Sequence, residues 1–252
     1  MVLHIKKMEK DRKIMTKLPN LPDINLLLPF ADSINNKVHI EVGRGCTYNC
    51  NFCSTTNMWK KKYRLRSPLE VYNYLEILNY EFNIDKFEFI HDNLLSNDKG
   101  IQFIKEFGKV NKKNFLWSCS SRLDHINRDI LKILKRAGCE CVFIGLESGS
   151  QRILNILNKN INLNKNINKL DMFEKYDIKF VSSFIFGHHD ENYLDLETTL
   201  NLAIYCSRKN SCTSTQIHKL SPIHGSVLYE KFKNNLNFAK ELMPMTPPLL
   251  SE

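Results

Sequence analysis

From about residue 38 onward, short runs of adjacent apolar residues alternate with longer segments whose apolar residues return every three or four positions. VHIEV (38–42), KFEFIHD (86–92), NFLWSCSSR (114–122), CECVFIGLES (139–148), IKFVSSFIFG (178–187) and STQIHKLSP (214–222) read as strands, because β-branched and aromatic residues suit a pleated, buried surface. Between them lie helical patterns. SPLEVYNYLEILNYEF (67–82) opens with Ser67 as a cap and Pro68 in the first turn, the chemistry that starts helices. KGIQFIKEFGKV (99–110) is helical, and INRDILKILKRAG (126–138) ends on Gly138, a helix stop. A polar, Asn-rich helical region spans about 149–176, and YLDLETTLNLAIYCSRK (193–209) forms the last helix. Near-continuous apolar strands with helical crossovers imply a parallel sheet. The expected fold is α/β, a partial (β/α)6 barrel of the TIM type, whose chemistry sits at the carboxyl ends of the strands. Residues 1–37 read as an N-terminal extension, 38–235 as the core domain and the Pro-rich 236–252 as an irregular tail.

The chain has 252 residues, 42% hydrophobic and 25% charged, enough to bury a core without disulfides. The net charge of +9 comes from lysines spread along the whole chain; no basic stripe marks a nucleic-acid face. No apolar run approaches the ~18 residues of a membrane span. The charged start, MVLHIKKMEKDRKIMTK, lacks the apolar core of a signal peptide. A cytoplasmic setting is expected, where thiols stay reduced; the eight cysteines then divide between metal ligands and packed thiols.

Three of those cysteines, Cys46, Cys50 and Cys53, fall within RGCTYNCNFCS directly after the first strand, on a loop at the functional rim. A structural zinc site closes itself with four ligands. A cube of four irons also needs four, so three thiolates leave one iron open to an exogenous ligand. A zinc loop, or three unrelated thiols, is the simpler alternative. The C-x3-C-x2-C spacing after a first strand resembles the signature of the radical S-adenosylmethionine (SAM) superfamily. The resemblance implies a [4Fe-4S] cluster whose open iron chelates SAM and reductively cleaves it to methionine and a 5′-deoxyadenosyl radical, which takes hydrogen from a substrate. It implies that Phe52 lies near the adenine, that Asp92 contacts SAM from the end of FIHDN, and that Glu147 and Ser148 of IGLESGS face it from the end of the fourth strand. Gly187 opens GHHDE, which is similar to the family's adenine-approaching G-x-P-x-E, with His189 in place of Pro. LSPIHGSVLYE (220–230) is similar to the family's P-x-x-G-T-x-L element.

Single residues keep two readings. Glu147 is either a SAM contact or a cap of the helix starting near Ser148. Arg122, ending the third strand, is either a planar fork for a SAM or substrate carboxylate or a surface ion pair. His188 and His189 read as solvated loop residues, and Cys119, Cys139, Cys141, Cys206 and Cys212 as packed or free thiols. The stretch from Trp59 to Arg66, with Lys60, Lys61, Lys62, Tyr63 and Arg64, is an anion site or a solvated linker. RGC-x3-C-x-FCS, R-x-R-S-P and GLESGS resemble the cobalamin-associated radical SAM group most closely. Only 37 residues precede the first strand, too few for that group's cobalamin domain, so cobalamin is expected only in trans. The resemblance further implies a small-molecule or peptide substrate and a reducing flavodoxin or ferredoxin. The alternatives are a methyltransferase core working with a separate B12 subunit, and a truncated, non-catalytic iron–sulfur protein. No catalytic residue or substrate is assigned.

Overall fold

The structure is a computed structural model that describes residues 18–24, 37–237 and 249–250. Strands β1 (Lys37–Glu41) and β2 (Gly43–Arg44) lead into the cysteine loop, followed by α1 (Thr55–Trp59), β3 (Arg64–Leu65) and α2 (Pro68–Phe82). Then come β4 (Lys86–Ile90), α3 (Asp98–Val110), β5 (Leu116–Arg122), α4 (Arg128–Arg136) and β6 (Cys139–Glu147). Short helices α5 (Gln151–Ile156), α6 (Leu163–Asn166) and α7 (Asp171–Lys175) precede β7 (Lys179–Phe186), α8 (Tyr193–Ser207), β8 (Cys212–Lys219) and α9 (Val227–Phe232). The main sheet has six strands in the order β1-β4-β5-β6-β7-β8, every neighbouring pair parallel. This is the expected α/β partial barrel, with strand ends within about three residues of those read from the sequence.

Register explains which face is core. Ile40, Phe89, Cys119, Val142 and Phe180 align across five strands, and all are buried. Helices seal this face: Trp117 stacks on Phe89 at 4.7 Å between ring centroids, and Phe107 of α3 meets Phe89 edge-on at 5.0 Å. Because side chains alternate along a strand, the other face carries Glu88, Ser118, Ser120 and Arg122. Ser67 caps α2 by accepting from the Glu70 amide at 3.1 Å, and Gly138 ends α4 at φ 95°, both as anticipated.

One departure has a clear physical cause. The Asn-rich region is broken into short turns because Asn158 and Asn160 adopt left-handed φ of 53° and 51°, a conformation Asn tolerates and a helix does not. The tail is not wholly irregular: Leu236–Asn237 pairs antiparallel with Leu249–Leu250, while the rest of 238–252 lies outside the described residues. Of the 1–37 extension, residues 18–24 lie against the barrel, where Arg66 Nη2 donates to Pro19 O at 2.7 Å and the Tyr74 hydroxyl to Pro22 O at 3.0 Å; its other residues before Lys37 are likewise outside the description. Among the described residues, no helix is long and apolar enough to cross a membrane.

Candidate functional site

The cysteine loop is tied to elements far away in sequence. Gly45 turns at φ 108°, and a Cβ there would lie 2.1 Å from the Lys62 carbonyl, so only glycine fits. Its amide donates to Asp92 Oδ2 at 2.5 Å, and the Thr55 hydroxyl to Asp92 Oδ1 at 3.1 Å. Asn51 donates from its amide to Leu157 O at 2.9 Å and from its side chain to Ile156 O at 2.7 Å. The Asn158 side chain donates to Asn49 O at 2.7 Å. From the other side the Leu228 amide donates to Asn51 O at 3.0 Å, and the Asn57 side chain donates to Gly225 O at 2.7 Å. The loop is therefore held by the end of β4, the end of α5 and the start of α9. The last is the segment read as P-x-x-G-T-x-L.

Cys46, Cys50 and Cys53 form no disulfide. All three are half-buried, and the Cys53 amide donates to Cys50 O at 3.1 Å. Burial raises the thiol pKa of Cys46 and Cys50, and the neighbouring Cys53 raises both further. For Cys50, Lys159 and then Arg122 pull the other way. Three free thiols on one braced loop, with cations facing one of them, fit a soft metal or iron–sulfur group, whose binding needs thiolates.

Two buried charged clusters adjoin the loop. Glu147 Oε1 accepts from Lys159 Nζ at 2.7 Å, with side chains 9% and 6% exposed. Glu147 stands at φ 67°, just past a register shift between Gly145 and Glu147. A Cβ at Gly145 would sit 2.4 Å from Glu147 Oε1 and 3.3 Å from Lys159 Nζ, so the strand is bare there to admit the pair. Lys159 also lies 5.9 Å from the Phe52 ring. The second cluster centres on Arg122. Its Nε and Nη2 donate to Asp124 Oδ1 and Oδ2 at 2.9 and 2.8 Å, Nη2 also to Lys159 O at 2.6 Å, and Nη1 to Cys50 Sγ at 3.8 Å. The guanidinium lies 3.9 Å over the Tyr48 ring, whose hydroxyl is 2.6 Å from His125 Nε2. Burial disfavours charge on both Arg122 and Asp124, yet their pairing outweighs it, raising the arginine pKa and lowering the carboxyl's.

The sequence-derived residues thus separate. Cys46, Cys50, Cys53, Phe52, Arg122 and Glu147 meet around the loop. Asp92 spends both oxygens on the loop itself. Arg122 is a buried ion pair, not a surface one. Glu147 does not cap α5; Ser150 does, accepting from the Ile153 amide at 3.4 Å. Ser148 is fully buried, its hydroxyl 2.9 Å from that of Thr199. Gly187, at φ 85°, donates its amide to Glu191 Oε2 at 2.5 Å. His188 is buried rather than solvated, its Nδ1 accepting from the Asp190 amide at 3.2 Å. Exposed His189 lies 3.0 Å from Asp190 and 3.2 Å from Lys231. The Arg44 and Arg64 guanidiniums lie over the Trp59 ring at 4.9 and 5.3 Å from its centroid. Lys159 and Tyr48 were missed. Lys159 is one of many lysines in an Asn-rich stretch and carries no local signal; Tyr48 had one, an aromatic between two ligand-spaced cysteines.

Residues 40–203 match the model of the radical SAM superfamily. The chain is 32% identical over 198 residues to an uncharacterised methyltransferase of Pyrococcus horikoshii, covering 78% of this chain and 42% of the relative. It is 29% identical to the anaerobic magnesium-protoporphyrin IX monomethyl ester cyclase of Rubrivivax gelatinosus, over 68% of this chain and 31% of that enzyme. The chain therefore spans less than half the length of these relatives. Among solved structures, the radical SAM methyltransferase TsrM of Kitasatospora setae, determined with cobalamin and a [4Fe-4S] cluster bound, superposes with a TM-score of 0.69 at 14% identity, covering 78% of this chain and 36% of that one. The cobalamin-dependent SAM radical enzyme OxsB gives a TM-score of 0.58 at 20% identity, over 78% and 29%; both show the shared fold. With a matching family model over most of its length, the chain belongs to the radical SAM superfamily, whose enzymes use a [4Fe-4S] cluster and SAM.

Proposed function

We propose that Cys46, Cys50 and Cys53 hold a [4Fe-4S] cluster at three corners, and that SAM binds beside it across Glu147 and Lys159. When bound, the pair of cofactors supplies one-electron cleavage of the SAM sulfonium and a 5′-deoxyadenosyl radical for hydrogen abstraction. The observation that carries this reading is the buried Glu147–Lys159 pair, 2.7 Å apart and close enough for Lys159 to act electrostatically on Cys50. An amino-acid zwitterion presents one ammonium and one carboxylate. Seated here, its amino group donates N–H to Glu147 and its carboxylate accepts from Lys159, exchanging one buried ion pair for two charge-assisted contacts. Phe52 flanks the lysine. Asp92 acts by holding the loop through Gly45 and Thr55, and Ser148 by fixing the turn that presents Glu147. Gly187 keeps the backbone after β7 open for close approach of the nucleoside.

The substrate class is a small molecule, and the electron comes from a flavodoxin- or ferredoxin-type donor. Anaerobic reconstitution with iron and sulfide tests the reading. It expects a brown protein with about four irons per chain that forms 5′-deoxyadenosine from SAM under dithionite. Alanine at Cys46, Cys50 or Cys53 removes both properties. A colourless protein carrying stoichiometric zinc overturns the reading. A second reading, methyl transfer with cobalamin bound outside residues 38–235, is supported by the methyltransferase relative. It expects methylated product only when cobalamin and its carrier are added.

A further inference from the structure

The Arg122 guanidinium is 5% exposed as a residue and has five N–H donors. Four are spent: two on Asp124, one on the Lys159 carbonyl and one on Cys50 Sγ. One remains, which cannot form the two parallel bonds that make arginine a carboxylate fork. The residue is instead a fixed brace between β5, the turn before Lys159 and the middle cysteine of the loop, with the Tyr48 ring laid against its face. Burial makes its charge act strongly on whatever Cys50 binds, since little water screens it.

We propose that Arg122 is a positioning residue that holds a cationic N–H on the Cys50 sulfur and thereby raises the one-electron reduction potential of the cluster. The inference rests on the reading that Cys50 is a cluster ligand. A hydrogen bond and positive charge at a ligating sulfur stabilise the more negative, reduced cluster. Asp124 tempers the effect by partly neutralising the guanidinium while fixing its direction. Through Nη2 the same side chain also bonds the Lys159 backbone carbonyl, a contact that a carboxamide N–H can keep, so the Lys159 side chain proposed to take the SAM carboxylate does not depend on the guanidinium charge.

The test is a dithionite redox titration of the reconstituted full chain, followed by the electron paramagnetic resonance signal of the reduced cluster, without SAM. Arg122→Gln is expected to keep about four irons, to hold SAM affinity within threefold, and to become tenfold harder to reduce, which for one electron is about 59 mV. Asp124→Asn, leaving the guanidinium uncompensated, is expected to shift the potential the opposite way. A purely structural role does not produce opposite signs. If Arg122→Gln does not retain iron, Arg122→Lys is read instead; an ammonium cannot reach Asp124, the Lys159 carbonyl and the sulfur together, so a smaller shift of the same sign as for Arg122→Gln is expected. An unmoved potential, or a tenfold loss of SAM affinity at unmoved potential, overturns the proposal and returns Arg122 to the SAM carboxylate. Failure of the wild-type chain to form a four-iron cluster is a different result and sinks the ligand assignment itself.

Discussion

At the scale of single residues, the buried Glu147–Lys159 pair is the costly feature of the fold. Breaking a buried pair by removing one partner leaves an uncompensated charge, at a cost of about 3–5 kcal/mol, whereas replacing both partners with neutral groups is often close to neutral. Lys159→Met is therefore expected to lower unfolding free energy by about 3–5 kcal/mol, and Glu147→Gln combined with Lys159→Met to recover most of it. Both variants are expected to bind SAM at least tenfold more weakly, because a charge-assisted contact is worth about 1.5–3 kcal/mol. Urea denaturation and equilibrium dialysis with SAM check the two halves separately; a double variant as unstable as the single one contradicts the account. Gly145→Ala supplies a companion case. Its Cβ collides with Glu147 Oε1, so SAM affinity falls while the reconstituted iron content holds. The cysteines were legible in the sequence because their spacing is local. The lysine was not, because it reaches Glu147 across 12 residues only after a strand irregularity and a left-handed glutamate.

At the scale of elements, the small residues of GLESGS serve packing as much as chemistry. A Cβ at Gly149 would lie 2.3 Å from Thr198 O, so α8 crosses the turn at backbone contact. Ser148 and the Gly149 amide both bond Thr199 Oγ1, at 2.9 and 3.0 Å. Ser150 donates to Asp195 Oδ1 at 2.5 Å, and Arg152 pairs with the same carboxylate. Asp195 also closes a capping box with Asn192 at the start of α8. The hydrogen bond from Arg152, with that from Ser150, depresses the Asp195 pKa to about 2 despite burial. A carboxyl with a folded pKa below its unfolded value near 3.9 stabilises the fold above that value and loses the contribution as pH falls toward 2. Asp195→Asn is thus expected to be less stable than the wild type at pH 7, with the gap closing between about pH 4 and pH 2; chemical denaturation at pH 7, 4 and 3 checks this, and a gap independent of pH rules out the ion pair as its source. The motif itself could be read from sequence, but its partner helix could not, since Thr199 and Asp195 lie more than 40 positions downstream. The strands were legible for the opposite reason: their apolar runs mark burial wherever the neighbours fall.

At the scale of the whole molecule, the question is whether a metal group folds the cysteine loop or finds it already built. In many small metal sites the ligands are disordered until the ion arrives, and binding energy is folding energy. Here the loop is joined by backbone and side-chain hydrogen bonds to three elements that the main sheet itself positions. They are Asp92 at the end of β4, Ile156–Asn158 at the end of α5, and Gly225–Leu228 at the start of α9. A small apolar cluster of Ile153, Leu157, Leu220 and Leu228, with Phe52 packed against it, closes the same junction from beneath. Because these bonds span the sheet from β4 to the segment after β8, the fold by itself supplies partners that hold the loop. The metal-free protein is therefore expected to protect the Asn51 and Leu228 amides from hydrogen exchange, with protection rising less than threefold when the cluster is loaded. Exchange measured by mass spectrometry before and after anaerobic reconstitution reads this directly. Amides that become protected only on loading show instead that the thiolates gather around the metal first, and that Asp92, Asn51 and Leu228 close on a loop already formed.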